Sequence, residues 1–432
     1  MTSEQQSLSE VKDDSDTSAI QGYEEVALSE VVDPVLGKTP RRKNDDYWQG
    51  DVKWASAKDI SQNSTRRIYD TAEYMTAEGK DASNAKIMPE GTLVVIARGS
   101  LGLSAQLGKP MTFNQSCYGL DADNDKLLDD FLYYVWQYRF NQIQSVSHGT
   151  VFDTITMDSF KDIDIPLPSL ETQKRICNVL TSIDDKIEVN NRIDEILEEM
   201  AQTIFRSWFI EFDQYGGEVE YDEDFERDVP VSWEKSSLDT IADFLNGMAW
   251  QDYSSESDGE NDLPVVKIKE LRNGITEDSD RVNRSESPEK YILDDGDIVF
   301  SWSASLVLDL WSEGEAFLNQ HLFKVTSQEY PRWFCYLWID HHIRIFRHIA
   351  EAKKTTMGHI KRSDLEKAKV LVPSAEDFKE ISEEMKPIFE KRVESMIENR
   401  RLEELRDTLL PKLMSGEIRV NDIELDESDD DS

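Results

Sequence analysis

The chain has 432 residues, 38% of them hydrophobic and 9% aromatic, which suits two to four packed domains and excludes a mainly disordered protein. Its 48 basic and 88 acidic residues give a net charge of −40. We interpret this excess of acidic residues as adaptation to the high-salt cytoplasm of a halophile, where carboxylates keep a protein surface hydrated. Three well-separated cysteines, and the lack of an apolar run of about 20 residues, argue against a disulfide scaffold and a membrane protein.

The first part of the chain predicts an acidic, disordered tail and then a mixed domain. Residues 1–20 are polar and acidic, whereas residues 21–167 combine short β-branched runs with glycine and proline turns. The predicted strands of this domain include 52–54, 92–96 and 163–167. Residues 127–138 are dense in aromatic side chains and predict a helix.

A long helix is predicted over residues 168–215. Neither proline nor glycine occurs from Leu170 to Phe209, and apolar residues recur every three or four positions on one helix face. These residues are Ile176, Leu180, Ile183, Ile187, Ile193, Leu197, Met200 and Ile204. About 40 helical residues make a rod roughly 60 Å long, which overhangs a domain of about 150 residues. We therefore expect the apolar stripe to pack on another helix.

An acidic linker is predicted at residues 216–232, and a second mixed domain at 233–372. The second domain repeats the first, because residues 91–176 align without a gap on residues 296–381. A weaker match places Gly37 on Gly247. Two units of about 200 residues are too long and too few for a solenoid, so they indicate the duplication of one domain together with one helix.

The second helix is predicted over residues 373–417 and is followed by an acidic tail at 418–432. Pro387 and Pro411 interrupt its apolar pattern, so we expect a kink near one end and fraying near the other. Gly416 is a candidate C-terminal cap. The whole pattern predicts an α+β protein, with two pseudo-symmetric mixed domains and two long helices that pack on each other as a coiled coil.

The sequence lacks the enzyme motifs that we sought. It has no phosphate-binding glycine loop, no His-Glu-x-x-His zinc motif, no Gly-x-Ser-x-Gly nucleophile elbow and no Asn/Asp-Pro-Pro-aromatic motif of amino-methyltransferases. Cys335, His341, His342 and His348 fit no standard zinc spacing, and core or surface roles suit them better. These missing motifs count against a stand-alone enzyme.

Local positive charge is the second functional signal. Residues 341–362 carry six lysines or arginines and one glutamate, and residues 38–43 form a smaller basic patch. At molar salt the Debye length falls to about 3 Å, so the net charge of −40 does not exclude a nucleic acid partner. The alternative interpretation is a solvated surface with chance clustering, since the two patches do not fall at equivalent places in the repeat.

Several stretches in order resemble the specificity subunit of type I restriction–modification systems. They are Gly-Lys-Thr-Pro at 37–40, Tyr-Trp-Gln-Gly-Asp-Val-Lys-Trp at 47–54, Ala-Arg-Gly-Ser at 97–100, Phe-Asn-Gln at 113–115, Ile-Pro-Leu-Pro-Ser-Leu-Glu-Thr-Gln at 165–173, Ile-Asp-Asp-Lys-Ile-Glu at 183–188, Ile-Phe-Arg-Ser-Trp-Phe at 204–209 and Leu-Leu-Pro-Lys-Leu-Met-Ser-Gly at 409–416. The second copy departs from this pattern, because Trp302-Ser303-Ala304 stands where the first has Ala97-Arg98-Gly99.

The resemblance implies two target recognition domains, separated by two long antiparallel helices, that each read one half of a split sequence in double-stranded DNA. The subunit itself would carry out no chemistry and bind no cofactor. The helices would set the unread spacer, and methylation (M) subunits and a restriction (R) subunit would dock on them. S-adenosylmethionine, ATP and Mg²⁺ are implied for those partners and not for this chain. The rival interpretations are a coiled-coil scaffold without a DNA role and a stand-alone DNA-modifying enzyme.

Candidate DNA contacts follow from the chemistry of base and phosphate recognition. In the first domain they are Arg41, Arg42 and Lys43 for phosphates, with Arg98, Gln115 and His148 near the groove. In the second domain they are Lys353, Lys354 and Lys361, with Thr355, Thr356 and Gln320. The Asn-Gln pairs at 114–115 and 319–320 have a structural alternative, in which a buried amide ties a turn to the backbone. Trp48 and Trp54 are more typical of a core than of base stacking.

Overall fold

The protein is described here from a computed structural model, which covers residues 23–146, 154–253, 262–303, 306–352 and 360–420. Contacts divide the chain into two compact units. The first contains residues 1–185 and 404–432, and the second contains residues 186–403. Each unit therefore holds one mixed domain together with a part of each long helix.

The first domain is built from ten short strands and four helices among the described residues. They are β1 (Glu25–Ala27), β2 (Val32–Leu36), β3 (Trp48–Ala55), α1 (Ala57–Gln62), β4 (Arg67–Ile68), β5 (Glu73–Met75), α2 (Ala77–Ser83), β6 (Leu93–Ile96), β7 (Ser104–Leu107), β8 (Thr112–Phe113), β9 (Cys117–Ala122), α3 (Asp129–Val146), α4 (Ser159–Asp162) and β10 (Asp164–Pro166). The first long helix, α5 (Leu170–Phe205), follows and ends in a π-helical segment, Arg206–Glu211.

Three sheets organise this domain. A five-stranded sheet has the order β2-β9-β6-β7-β4, a three-stranded sheet has the order β5-β3-β8, and β1 pairs with β10. The predicted aromatic helix lies within α3, where Phe131, Leu132 and Trp136 are fully or almost fully buried against the larger sheet. Their burial explains why so many aromatic residues occur together in that helix.

The second domain comprises β11 (Val219–Asp222), β12 (Arg227–Pro230), β13 (Glu234–Ser237), α6 (Leu238–Ile241), β14 (Asp243–Asn246), β15 (Asp262–Val266), α7 (Ile268–Asn273), β16 (Arg281–Asn283), β17 (Ile292–Leu293), β18 (Ile298–Ser301), β19 (Leu308–Leu310), β20 (Ala316–Leu318), β21 (Leu322–Thr326), α8 (Arg332–Ala352), α9 (Arg362–Lys367) and β22 (Lys369–Val372). The second long helix, α10 (Ala375–Ser415), completes the described fold.

The sheets of the second domain repeat those of the first. The order β14-β21-β18-β19 corresponds to β2-β9-β6-β7, and β16-β15-β20 corresponds to β5-β3-β8. The parallel pair of each smaller sheet is also repeated, since β3 pairs with β8 as β15 pairs with β20. The predicted duplication of a mixed domain is therefore confirmed.

The predicted acidic linker at 216–232 contains a β-hairpin, in which β11 pairs antiparallel with β12. Val229 faces inward and is buried, and the carboxylate of Asp222 accepts hydrogen bonds from the backbone N–H groups of Asp224 and Phe225. The high acidic content of this segment concealed the two strands. The segment is thus ordered structure and not a plain linker.

The second long helix is continuous through Pro387 and Pro411, in keeping with the helix predicted over 373–417, and the kink expected at a proline stays a prediction. Both prolines are exposed, as are Glu383 and Asp407, whose carbonyl groups lose their helical donors. Water can hydrate these carbonyls, so the helix continues at a reduced cost. Gly416 terminates it as predicted, with a φ of +76° and its N–H group directed to the carbonyl oxygen of Leu413 at 3.3 Å.

Within the first unit, α5 and α10 share an apolar contact and an ion pair. Ile176 and Leu180 of α5 belong to the same buried cluster as Leu413 of α10. Arg406 donates to the carboxylate of Asp184 at 3.1 Å. The ion pair lies at the edge of the cluster, where the charges keep partial access to water.

Within the second unit, the same two helices are joined by polar groups. The amide of Asn190, only 1% exposed, donates to Asn399 at 2.9 Å. Arg392 donates to Asp194 at 2.8 Å and to Glu198 at 3.0 Å. The residue numbers rise along α5 from Asn190 to Asp194, whereas those of their partners on α10 fall from Asn399 to Arg392. The two helices therefore run antiparallel in this unit. The coiled-coil geometry stays a prediction.

The three cysteines are buried and free of disulfides, and burial raises the pKa of the Cys117 thiol to about 12. His342 is also buried, and its Nε2 lies 2.8 Å from the carbonyl oxygen of Lys369. Among the described residues, no cluster of ligand side chains suits a metal ion. The helices in the described part of the chain also lack any segment that is long and apolar enough to span a membrane.

Candidate nucleic-acid interface

The backbone of Gly37 and Lys38 holds one loop of the first domain against the turn at residues 113–117, a contact that we call the glycine clamp. The N–H group of Gly37 donates to the carbonyl oxygen of Cys117 at 3.0 Å, and that of Lys38 donates to Phe113 at 2.9 Å. A Cβ on Gly37 would overlap the carbonyl oxygens of Phe113 and Asn114. Only glycine permits this approach, so the clamp fixes where the following residues, 38–43, leave the sheet.

A third stretch meets the same turn. The N–H group of Ala97, just after β6, donates to the carbonyl oxygen of Ser116 at 2.7 Å, and its own carbonyl accepts from Ile155 at 3.0 Å. Residues 38–43, 97–99 and 114–116 thus lie together at one edge of the domain. We call this set the first recognition edge.

Arg42 is held at this edge by two tryptophans. Its guanidinium lies 4.2 Å from the ring centre of Trp48 and 4.5 Å from that of Trp54, and it forms an ion pair with Glu73. Trp54 is buried and Trp48 is partly buried, which agrees with the core role that we favoured for both. The planar guanidinium is therefore positioned by stacking as well as by charge.

The remaining predicted residues of this edge are exposed. Arg41 and Lys43 flank Arg42, and Arg98 follows Ala97. Gln115 is exposed too, and the hydroxyl of Thr39 donates to its Oε1. The structure thus brings together Arg41, Arg42, Lys43, Arg98 and Gln115. The sixth candidate, His148, lies outside the described residues.

The same clamp recurs in the second domain. Gly247 donates to the carbonyl oxygen of Leu322 at 2.9 Å, and Met248 donates to Leu318 at 3.1 Å. A Cβ on Gly247 would overlap the carbonyl oxygens of Leu318 and Asn319. The two glycines that the sequence repeat matched therefore perform the same structural task.

The asparagines of the two turns are structural. Oδ1 of Asn114 accepts from the backbone N–H of Ser116 at 3.0 Å, and Oδ1 of Asn319 accepts from that of His321 at 3.2 Å. This is the structural alternative that we considered for the Asn-Gln pairs. Gln320 follows and is partly buried, and among the described residues no donor reaches its Oε1.

Two further stretches lie at the edge of the second domain. Ile360 donates its N–H to the carbonyl oxygen of Trp302 at 3.0 Å, as Ile155 does to Ala97 in the first domain. Lys361 comes next and is exposed. We define the second recognition edge as residues 248–251, 302–303, 319–321 and 360–361. The predicted residues Lys353, Lys354, Thr355 and Thr356 lie outside the described part of the chain.

The loop at 248–251 was missed by the sequence interpretation. It occupies the place that the basic loop holds in the first domain, because both follow the clamped glycine. The signal was present in the match of Gly37 with Gly247. It was overlooked because residues after Gly247 lack the positive charge that identified 38–43.

A sequence profile of the family described as "Type I restriction modification DNA specificity domain" matches residues 20–199 and 230–406. The two matches each cover one mixed domain and part of a long helix. The chain belongs to this type I DNA specificity family. It acts as a DNA-recognition subunit of a type I restriction–modification system, a role that carries no catalysis of its own.

Similar proteins support the assignment over most of the specificity subunit's length. The MjaIX specificity subunit of Methanocaldococcus jannaschii is 27% identical over 404 residues, which cover 90% of this chain and 91% of that protein. The HindI specificity subunit of Haemophilus influenzae is 26% identical over 343 residues, covering 65% and 74%. The S subunit structure from M. genitalium shares the fold with a TM-score of 0.55 at 16% identity, covering 91% of this chain and 96% of that one.

Proposed function

We propose that the two recognition edges read the two halves of a divided DNA target and that the long helices set the number of unread base pairs between them. The observation that carries this proposal is the repeated backbone clamp with different side chains around it. A shared scaffold gives two edges of one shape, whereas different residues give each edge its own base preference.

The test is to express the chain with the methylation subunits of its system and to map the methylated adenines by sequencing the DNA. We expect one motif made of two specified halves and a spacer of constant length. A continuous motif would contradict division of the target between two domains. Methylated DNA produced by the purified chain alone would favour the stand-alone enzyme.

The spacer is tested by shortening α5. Removing four residues near Val189 deletes about one helical turn, or roughly 6 Å, which corresponds to about two base pairs of DNA. We expect a shorter spacer and unchanged half-sites in the methylation map. Unchanged spacing would reject the helices as a ruler, whereas a general loss of methylation with a lower melting temperature would indicate damaged folding instead.

An exposed apolar stripe supports docking of the methylation subunits on α5. Val189, Ile196 and Met200 are 53%, 44% and 46% exposed and follow one another at spacings of seven and four, so they share a helix face. S-adenosylmethionine, ATP and Mg²⁺ would be bound by the methylation and restriction subunits. Co-purification tests the stripe: Ile196→Glu with Met200→Glu should release the methylation subunit, and the exposed Glu199→Gln should not.

A further inference from the structure

The loop after Gly247 is anchored to the domain although it carries no cation. Its first residue, Met248, is bonded to Leu318 through the backbone at 3.1 Å. Just after the loop, the hydroxyl of Tyr253 donates to the Sδ of Met248 at 3.6 Å. Trp250–Tyr253 form a single 3₁₀ turn. Backbone and side-chain contacts of Met248 thus anchor the loop to β20 and to Tyr253.

Two aromatic side chains of this turn point into the domain. Trp250 and Tyr253 pack against the buried cluster that contains Val265, Ile292 and Phe317, and the rings of Tyr253 and Phe317 lie 5.7 Å apart. Gln251 stands between them and is exposed. Because its neighbours on both sides are anchored, the backbone that carries Gln251 loses little freedom when a ligand binds.

The chemistry of this loop differs from that of its counterpart. Residues 38–43 of the first domain include Lys38, Arg41, Arg42 and Lys43, which suit phosphate groups. Residues 248–251 are Met-Ala-Trp-Gln and offer one exposed polar side chain, the amide of Gln251. A glutamine amide presents a donor and an acceptor side by side, which match N7 and N6 of adenine in the major groove.

We propose that Gln251 is a base-reading residue of the second domain, with adenine as its preferred partner. This inference rests on the proposed function and adds a residue to it. Gln320, the glutamine predicted from the sequence, is less suited to the role because its Oε1 is buried. Exposure on an anchored turn at the clamped edge distinguishes Gln251 from it.

The experiment compares methylation maps of complexes that contain the full-length chain, either unchanged or as Gln251→Ala. We expect Gln251→Ala to lose about 10- to 100-fold of the preference at one position of one half-site. The other half-site and the spacer should not change. Gln251→Arg should move the preference at that position toward guanine, because arginine pairs with guanine in the same bidentate manner.

The control is Gln328→Ala. Gln328 is also exposed, but it follows the far end of β21, whereas Leu322 at the near end is bonded to Gly247. Its map should equal that of the unchanged chain. An unaltered motif in Gln251→Ala, or an equal loss at every position, would overturn the assignment of Gln251. If the unchanged chain gave no divided motif, the proposed function itself would fail, so the two failures are distinguishable.

Discussion

The two recognition edges share a backbone and differ in the side chains that it presents. Gly37 and Gly247 make matching hydrogen bonds, and the turns that they contact are each held by an asparagine. The first edge then carries exposed cations, whereas the loop of the second carries anchored aromatics and an exposed glutamine. Duplication thus preserved the frame and left the contacting surface free to diverge.

This difference separates two parts of DNA recognition. Cations bind phosphates on any sequence and depend strongly on salt, whereas amides select bases and depend on geometry. One edge of this protein is richer in the first kind of group at its clamped loop, and the other in the second kind. The two domains are therefore expected to respond differently to equivalent substitutions.

The largest effect is expected where the domains are alike. Gly37→Ala and Gly247→Ala each place a Cβ on backbone carbonyl oxygens that cannot move aside, so each should lower the free energy of unfolding by about 2–3 kcal/mol. Thermal unfolding measures this loss. Gly216→Ala is the control, because a Cβ there has nothing within 4 Å. A tolerated change in only one domain would show that the clamps are not equivalent.

A second effect tests where the domains differ. Arg41→Ala with Lys43→Ala should weaken DNA binding to the same degree on all sequences and reduce the slope of log affinity against log salt by about 2. Titrations of the assembled complex between 0.2 M and 2 M salt measure the slope. Gln251→Ala should leave it unchanged. A loss confined to one base position would contradict phosphate anchoring by Arg41 and Lys43.

A third effect depends on pH. Burial raises the pKa of Asp309 to about 6, and the matching position of the first domain is Ala105, because Val94 pairs with Ala105 as Val299 pairs with Asp309. Near pH 7 the carboxylate of Asp309 is ionised in the folded protein, which costs stability. As the pH falls below 6 the folded protein takes up a proton first, so this cost disappears by about pH 4.

Asp309→Ser should therefore raise the free energy of unfolding by about 1–3 kcal/mol at pH 7.5 and by nothing near pH 4. Thermal unfolding at several pH values measures the difference. The opposite change at the matching position, Ala105→Asp, should destabilise the first domain at pH 7.5, because Ala105 is fully buried. A gain from Asp309→Ser that persists at pH 4 would mean that packing, and not ionisation, is its cause.

The smallest effect concerns the helices. Asn190 and Asn399 occupy equivalent places in the two helices, and their amides bond to each other. Asn190→Leu alone leaves a polar partner unmatched and should cost about 1–2 kcal/mol, whereas the double change to leucine should cost less than 1 kcal/mol. Chemical denaturation of the unchanged chain, of Asn190→Leu, of Asn399→Leu and of the double variant measures the coupling energy between the two side chains. Additive losses would contradict a bonded pair.

Much of the fold was predictable from the sequence. The internal repeat, the proline-free stretch of α5 and the glycine after α10 can all be read along the chain. The structure confirms them as two similar domains, a long helix and a helix end at Gly416. The hairpin at 219–230 was not predicted, because its acidic composition is typical of a linker and hides the strands. How α10 accommodates its two prolines was not readable from the sequence, because their exposure, which permits hydration of the freed carbonyls, is a tertiary property.

The candidate site was predictable only in part. Positive charge identified Arg41, Arg42 and Lys43, but the loop at 248–251 carries none and became visible only through the clamp at Gly247. That a domain and a helix occur twice can be read directly from the chain, because the repeated residues keep their order and spacing. Which residues lie at the two edges depends on the fold, because hydrogen bonds between distant segments, such as Gly247 with Leu322, place them there.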